Sequence, residues 1–209
     1  MYRMGKKKNE KRTDTQSSLP FEQYNVYFQI LQKNSVKVLR DKKSVQNAYI
    51  PIKITDDEVY VSEPDGEMIP QIEGQQKCDY LIYCSKQLQV RYIELKGKNI
   101  STKEKYNPYD QIIDTRKYLK SLPQYKSLFT QDTESHAFIV SPMQQKIPKG
   151  IELRERALWQ ELIKYQKNPP EKKNYIHYVK VTPSSAYSDR GQKIICAPAC
   201  PIAIPYKSL

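Results

Sequence analysis

The chain lacks any run of about 18 apolar residues, so no segment reads as a transmembrane helix. Its N-terminus is basic but has no apolar core of the kind a secretory signal carries. Glycine is scarce, at 6 of 209 residues, and neither a Walker A loop nor a GxGxxG or GxSxG motif occurs. P-loop ATPase, Rossmann dehydrogenase and α/β-hydrolase readings therefore have no support. The four cysteines, at 78, 84, 196 and 200, form no CxxC pair and have no histidine at zinc-site spacing. Cys78 and Cys84 flank an apolar stretch and read as reduced core thiols, which fits a cytoplasmic, reducing compartment. The two histidines, His136 and His177, lie far apart in sequence. That excludes the clustered His/Asn set of an HNH nuclease and leaves a histidine-pair mechanism only if the two meet in space.

Positive charge and tyrosine are what the chain has in plenty. Lys and Arg number 35 against 23 Asp and Glu, a net charge of +12, and part of the excess sits in "MYRMGKKKNEKR". Such an excess favours polyanionic partners, nucleic acid or acidic lipid, and serves solubility equally well. Without an apolar anchor the membrane-surface option ranks last. The 17 tyrosines against 4 Phe and 1 Trp can pack in a core while keeping their hydroxyls hydrated, so the chain is long and apolar enough for one sizeable core.

The segments organise as follows. Residues 1–18 read as a disordered basic arm. Residues 19–209 read as a single domain with a Pro-rich C-terminal tail. Residues 19–34 are compatible with a short helix and 35–54 with short strands. "EVYVSEPDGEMIPQI" suggests a hairpin turning at Pro64-Asp65-Gly66. Strands are expected at about 78–84 and 89–96, and an amphipathic helix at 107–122 capped by Asn107 with Pro108 in its first turn. Tyr109, Ile112, Ile113, Arg116 and Leu119 follow helical spacing. "HAFIVSP" reads as a buried strand. A second helix at 150–166 packs through Leu153, Ala157, Leu158, Leu162 and Ile163. An edge strand follows at 174–183, and "QKIICAP" is a last short one. The order predicts an α/β fold, a mixed central sheet with helices on both faces.

One pair of strands carries charges where a half-buried strand should not. Glu94 and Lys96 are two residues apart and share a face. Asp79, which opens the preceding strand, comes beside them if the two strands form a hairpin. Two adjacent carboxylates repel and are costly to desolvate unless a cation lies between them. Lys96 is one such cation. A magnesium ion held by Asp79, Glu94 and the Leu95 carbonyl is another, because Mg²⁺ takes oxygen ligands and keeps several waters. The plain alternative is an ordinary cross-strand salt bridge.

Asp79, fourteen intervening residues, then Glu94-Leu95-Lys96 and the succession "YIELKG", helix, apolar strand, helix resemble the PD-(D/E)xK nuclease superfamily. The resemblance runs from about Gln71 to Pro142. It implies a restriction endonuclease-like core and metal-dependent phosphodiester hydrolysis with Mg²⁺ or Mn²⁺. It implies Asp79 and Glu94 as metal ligands, Lys96 orienting the attacking water, and Gln111, on the first helix, assisting. Nucleic acid is the implied partner, DNA ahead of RNA. A homodimer is compatible with it, as is a bacterial or mobile-element role in defence or DNA processing. Cys78 stands where the family's proline would be, and Thr115 where the RecB-like branch has tyrosine. Glu22 and Glu73 both remain candidates for an upstream acid. Lys98, Lys103 and Lys105, in the polar loop after the motif, are candidate phosphate contacts. The competing reading is a non-catalytic module that keeps this fold and binds nucleic acid or protein.

Overall fold

The computed structural model describes residues 26–41, 49–55, 59–96, 107–141, 151–167, 169 and 175–180, with strands at 192–196 and 203–205. The basic arm, Glu22 and the three loop lysines Lys98, Lys103 and Lys105 lie outside the described residues.

Two sheets form the scaffold. The larger contains β1 (Gln29–Leu31), β4 (Val59–Ser62), β5 (Tyr80–Cys84), β6 (Gln89–Leu95), β7 (Glu134–Ser141) and β8 (Ile176–Lys180), in the order β1-β4-β5-β6-β7-β8. Its first four strands pair antiparallel, and β6-β7-β8 pair parallel. The smaller sheet runs β10-β9-β3-β2, from β2 (Val36–Arg40), β3 (Tyr49–Ile54), β9 (Gln192–Cys196) and β10 (Ala203–Pro205). The stretch expected as a bare Pro-rich tail thus supplies a strand, Ala203–Pro205, paired with β9.

Helix α1 (Pro108–Ser121) starts where its sequence says it should. The Asn107 side chain accepts a hydrogen bond from the Tyr109 N–H at 2.9 Å, and Pro108 occupies the first turn, where a missing N–H costs nothing. Its apolar face, Tyr109, Ile112, Ile113 and Leu119, is buried, and so is Arg116. The Arg116 guanidinium is satisfied by the carbonyls of Glu161 and Leu162, the Ser135 hydroxyl and the Tyr92 hydroxyl, which ties α1 to α2 (Glu152–Ile163) and to the sheet.

Both helices lie on the same face of the large sheet. Tyr109, Ile112, Leu158 and Leu162 share one core layer with Leu81, Tyr83, Val90, Tyr92, Ala137 and Ile139. The other face, Ile82, Ile93, Leu95, Phe138, Val140 and Val179, packs against Leu39, Ile50, Ile52 and Ile54 of the smaller sheet. The expectation of helices on both faces is therefore corrected among the described residues. Two successive crossovers of one hand, stepping the same way from β6 to β7 to β8, must place their helices on one side. The apolar run "AFIV" does show that β7 is buried on both faces. It does not show that a second sheet covers one of them.

Three local expectations also change. Residues 26–34 hold a one-turn start at Val26-Tyr27 and then strand β1, not a helix. Phe28 and Leu31 mimic a helical stripe, yet they face opposite core layers, as residues three apart on a strand do. Pro64–Met68 forms an irregular helical turn broken at Gly66, and β4 finds its partners in β1 and β5, so no hairpin turns there. On α2, Leu153 is 78% exposed and Ala157 is exposed, while Leu158 and Leu162 are buried. Leu153 sits roughly 140° around the helix from Leu158, outside the covered arc. No helix among the described residues is long and apolar enough to cross a membrane.

Candidate active site

The β5–β6 hairpin, closed by the turn 85–88 and registered Tyr80↔Ile93 and Leu81↔Tyr92, brings Asp79 against the end of β6. The Asp79 N–H donates to Glu94 Oε2 at 3.2 Å, and the Leu95 N–H donates to Asp79 Oδ2 at 2.7 Å. Lys96 Nζ lies 2.6 Å from Glu94 Oε1 and 2.5 Å from Gln111 Oε1. Asp79, Glu94, Lys96 and Gln111, four residues singled out in the sequence, thus form one connected cluster. Leu95 enters it through its backbone N–H, while its side chain is buried in the layer against the smaller sheet.

Burial controls the electrostatics. Glu94 is 1% exposed. Desolvation first, and the neighbouring Asp79 second, push its carboxyl well above the usual range, with Lys96 opposing them. Asp79 is raised to about 7, again chiefly by burial. The Leu95 N–H pulls it down and Asp41 pushes it up. The site holds more carboxylate than its one ammonium neutralises.

Asp79 also borders an open cleft of about 220 Å³ whose lining includes Arg40, Asp41, Glu63, Asp65 and Tyr80. Tyr80 anchors this wall: its hydroxyl donates to the Arg40 carbonyl at 2.7 Å and so joins the two sheets. The acids Asp41, Glu63 and Asp65 were not singled out from the sequence. The density of acids in "EPDGE" is the available signal for Glu63 and Asp65, in a stretch whose Pro-Asp-Gly indicates a turn. Glu73 is exposed, in a turn with Gly74.

Hard oxygen donors of this kind suit a small divalent cation. Each carboxylate oxygen has two acceptor positions, so the bonds from Lys96, Leu95 and Asp79 leave capacity on both acids. Among the described residues no three His, Cys, Asp or Glu side chains converge as a ligand set. The side-chain donors are two, Asp79 and Glu94, which fits an ion that retains water.

The two histidines do meet. His177 Nε2 is 3.4 Å from His136 Nδ1, and Glu134 Oε2 lies 3.3 Å from His136 Nε2. Both rings are buried, on the sheet face opposite Glu94. His136 is level with Arg91 rather than with Glu94, so the pair belongs to the packing of β7 on β8 and is separate from the carboxylate cluster. Cys78 and Cys84 are buried and form no disulfide, as the sequence indicated.

The chain matches no family model, no curated protein and no solved structure.

Proposed function

We propose that the chain is a metal-dependent nuclease, with Asp79 and Glu94 binding Mg²⁺ or Mn²⁺ and Lys96 beside them. One observation carries this reading: a lysine held 2.6 Å from one of two adjoining, largely buried carboxylates, and fixed on its other side by Gln111. Such a grouping is costly unless it serves a ligand, because the buried acids outnumber the ammonium. A bound divalent ion would polarise a phosphodiester and lower the pKa of its water. Lys96 would orient the attacking water and offset charge as it develops on the phosphate. Gln111 keeps the ammonium in place. The arrangement agrees with the likeness to the PD-(D/E)xK nucleases, and the net charge of +12 suits a polyanionic substrate. DNA is preferred to RNA by that analogy alone.

A second reading also has an observation behind it. The Lys96–Glu94 pair is already closed, with the lysine side chain 14% exposed and the glutamate 1%. A closed pair of this kind can act as a purely structural element in a non-catalytic module that binds nucleic acid or protein.

The two readings separate on purified protein given Mg²⁺ or Mn²⁺ with supercoiled plasmid, linear DNA and single-stranded RNA. Asp79→Ala, Lys96→Ala and EDTA serve as controls. Metal-dependent cleavage that both variants abolish while remaining folded supports the nuclease. Absence of cleavage on every substrate, with both variants markedly less stable than wild type, supports the structural pair.

A further inference from the structure

The chain just before Asp79 has no strand partner. β5 begins only at Tyr80, yet Lys77 and Cys78 are buried, so their backbone groups need partners other than water. Side chains from one face of α1 supply them. Asp114 Oδ2 accepts from the Gln76 N–H at 3.3 Å. Gln111 Nε2 donates to the Lys77 carbonyl at 3.0 Å, and Thr115 Oγ1 accepts from the Cys78 N–H at 2.8 Å. Positions 111, 114 and 115 are neighbours on one helical face, and they clamp three consecutive residues.

The Thr115 hydroxyl has one proton, and it goes to the Gln111 carbonyl at 2.8 Å. Its orientation is thereby fixed, with a lone pair left for Cys78. The residue after Cys78 is Asp79, whose N–H reaches Glu94 and whose carboxylate receives Leu95. The same helix face holds Lys96 through Gln111 Oε1. We infer that Thr115 and Asp114 are positioning residues: through the backbone of residues 76–78 they set where Asp79 stands relative to Glu94, and α1 thus aligns the acids and the lysine together. The consequence for metal affinity rests on the proposed nuclease reading, whereas the alignment itself does not.

Two measurements keep these apart. The first is amide hydrogen exchange on metal-free protein. Thr115→Val keeps the shape and removes both hydroxyl bonds, whereas Thr115→Ser retains them. Thr115→Val should speed exchange at the Asp79 and Leu95 amides by about tenfold or more, leaving the β3 amides unchanged, as local loosening does. Thr115→Ser should restore wild-type exchange. The second is calorimetric Mn²⁺ titration, where Thr115→Val should weaken binding by about 10–100-fold, the usual effect of losing support behind a ligand, and Thr115→Ser by far less. Wild type that binds no Mn²⁺ would sink the metal reading, and the exchange result would still decide the alignment. If Thr115→Val does not fold, Asp114→Ala, at a half-buried position, takes its place and should speed exchange at Cys78 and Asp79. Unchanged exchange at Asp79 and Leu95 in a folded Thr115→Val, or at Cys78 and Asp79 in Asp114→Ala, overturns the inference.

Discussion

Lys96 and Gln111 touch through Nζ and Oε1 at 2.5 Å, so the lysine of the site is held by a helix and a strand at once. Glu94 takes the other side of the ammonium. Replacing Lys96 by Ala removes both the charge and the group proposed to orient water, and cleavage should fall by roughly 10²–10⁴-fold. Replacing Gln111 by Ala leaves the Glu94 contact, so a loss of about tenfold is expected under the same convention for mutant rates. Single-turnover plasmid nicking measures both. A Gln111→Ala loss as large as that of Lys96→Ala would show that its second bond, to the Lys77 carbonyl, matters as much as its hold on the ammonium.

The metal-free protein should lose stability as pH rises toward neutrality. Asp79 has its folded-state pKa raised from 3.8 to about 7, so between those values the folded state binds more protons than the unfolded state. Stability from this group is complete below about pH 4 and is lost as pH rises through about 7, by the linkage relation. Glu94 is shifted in the same direction. Asp79→Asn cannot ionise and should flatten that decline, gaining on the order of 2–4 kcal/mol at neutral pH relative to wild type. Urea midpoints between pH 4 and 8 in EDTA test this. A wild-type midpoint that rises over that range contradicts the buried-acid account.

Divalent metal should displace protons. Asp79, raised to about 7, must release its proton to become a ligand, and Glu94 is shifted in the same direction. Mn²⁺ titrations at pH 6.5 in two buffers of different ionisation enthalpy should report net proton release on binding. The ion should also raise the melting temperature by mass action, and Asp79→Ala should abolish that rise. Equal heats in both buffers would mean that the ion binds elsewhere or to acids already ionised.

Leu88 closes the β5–β6 turn with φ at +50°, a left-handed conformation that is costly for a side chain like leucine. It is 41% exposed, so little packing is at stake. Leu88→Gly or Leu88→Asn should raise stability by about 1 kcal/mol, read as a shift in urea midpoint with unchanged slope. A loss instead would mean that the side chain contributes more than its exposure suggests.

The parts of the fold legible in the sequence are those set by short-range rules. Alternation placed Asp79, Glu94 and Lys96 together because they lie on one hairpin, whereas Gln111 was pointed to only by the resemblance to nucleases that carry a glutamine on the helix after this motif. Asn107 and Pro108 marked the helix start. What stayed hidden depended on partners distant in the chain. Nothing in "VLRD" or "EPDGE" states that Asp41 and Asp65 come beside Asp79, since the first follows from how the two sheets stack and the second from the pairing of β4 with β5. Nor does "VKVLR" announce that it covers the far face of β6. Leu153 failed for a related reason, because the width of a helix's buried arc is set by what packs on it.

Sheet direction changes at β6, which pairs antiparallel with β5 and parallel with β7. The first pairing closes over a four-residue turn, whereas the second must wait for a crossover that contains α1. A refolding chain should thus bring its two acids together before Gln111 arrives to hold Lys96. In that interval repulsion between the acids is best relieved by taking up a proton, so the hairpin should form more readily in mild acid and the helix should dock last.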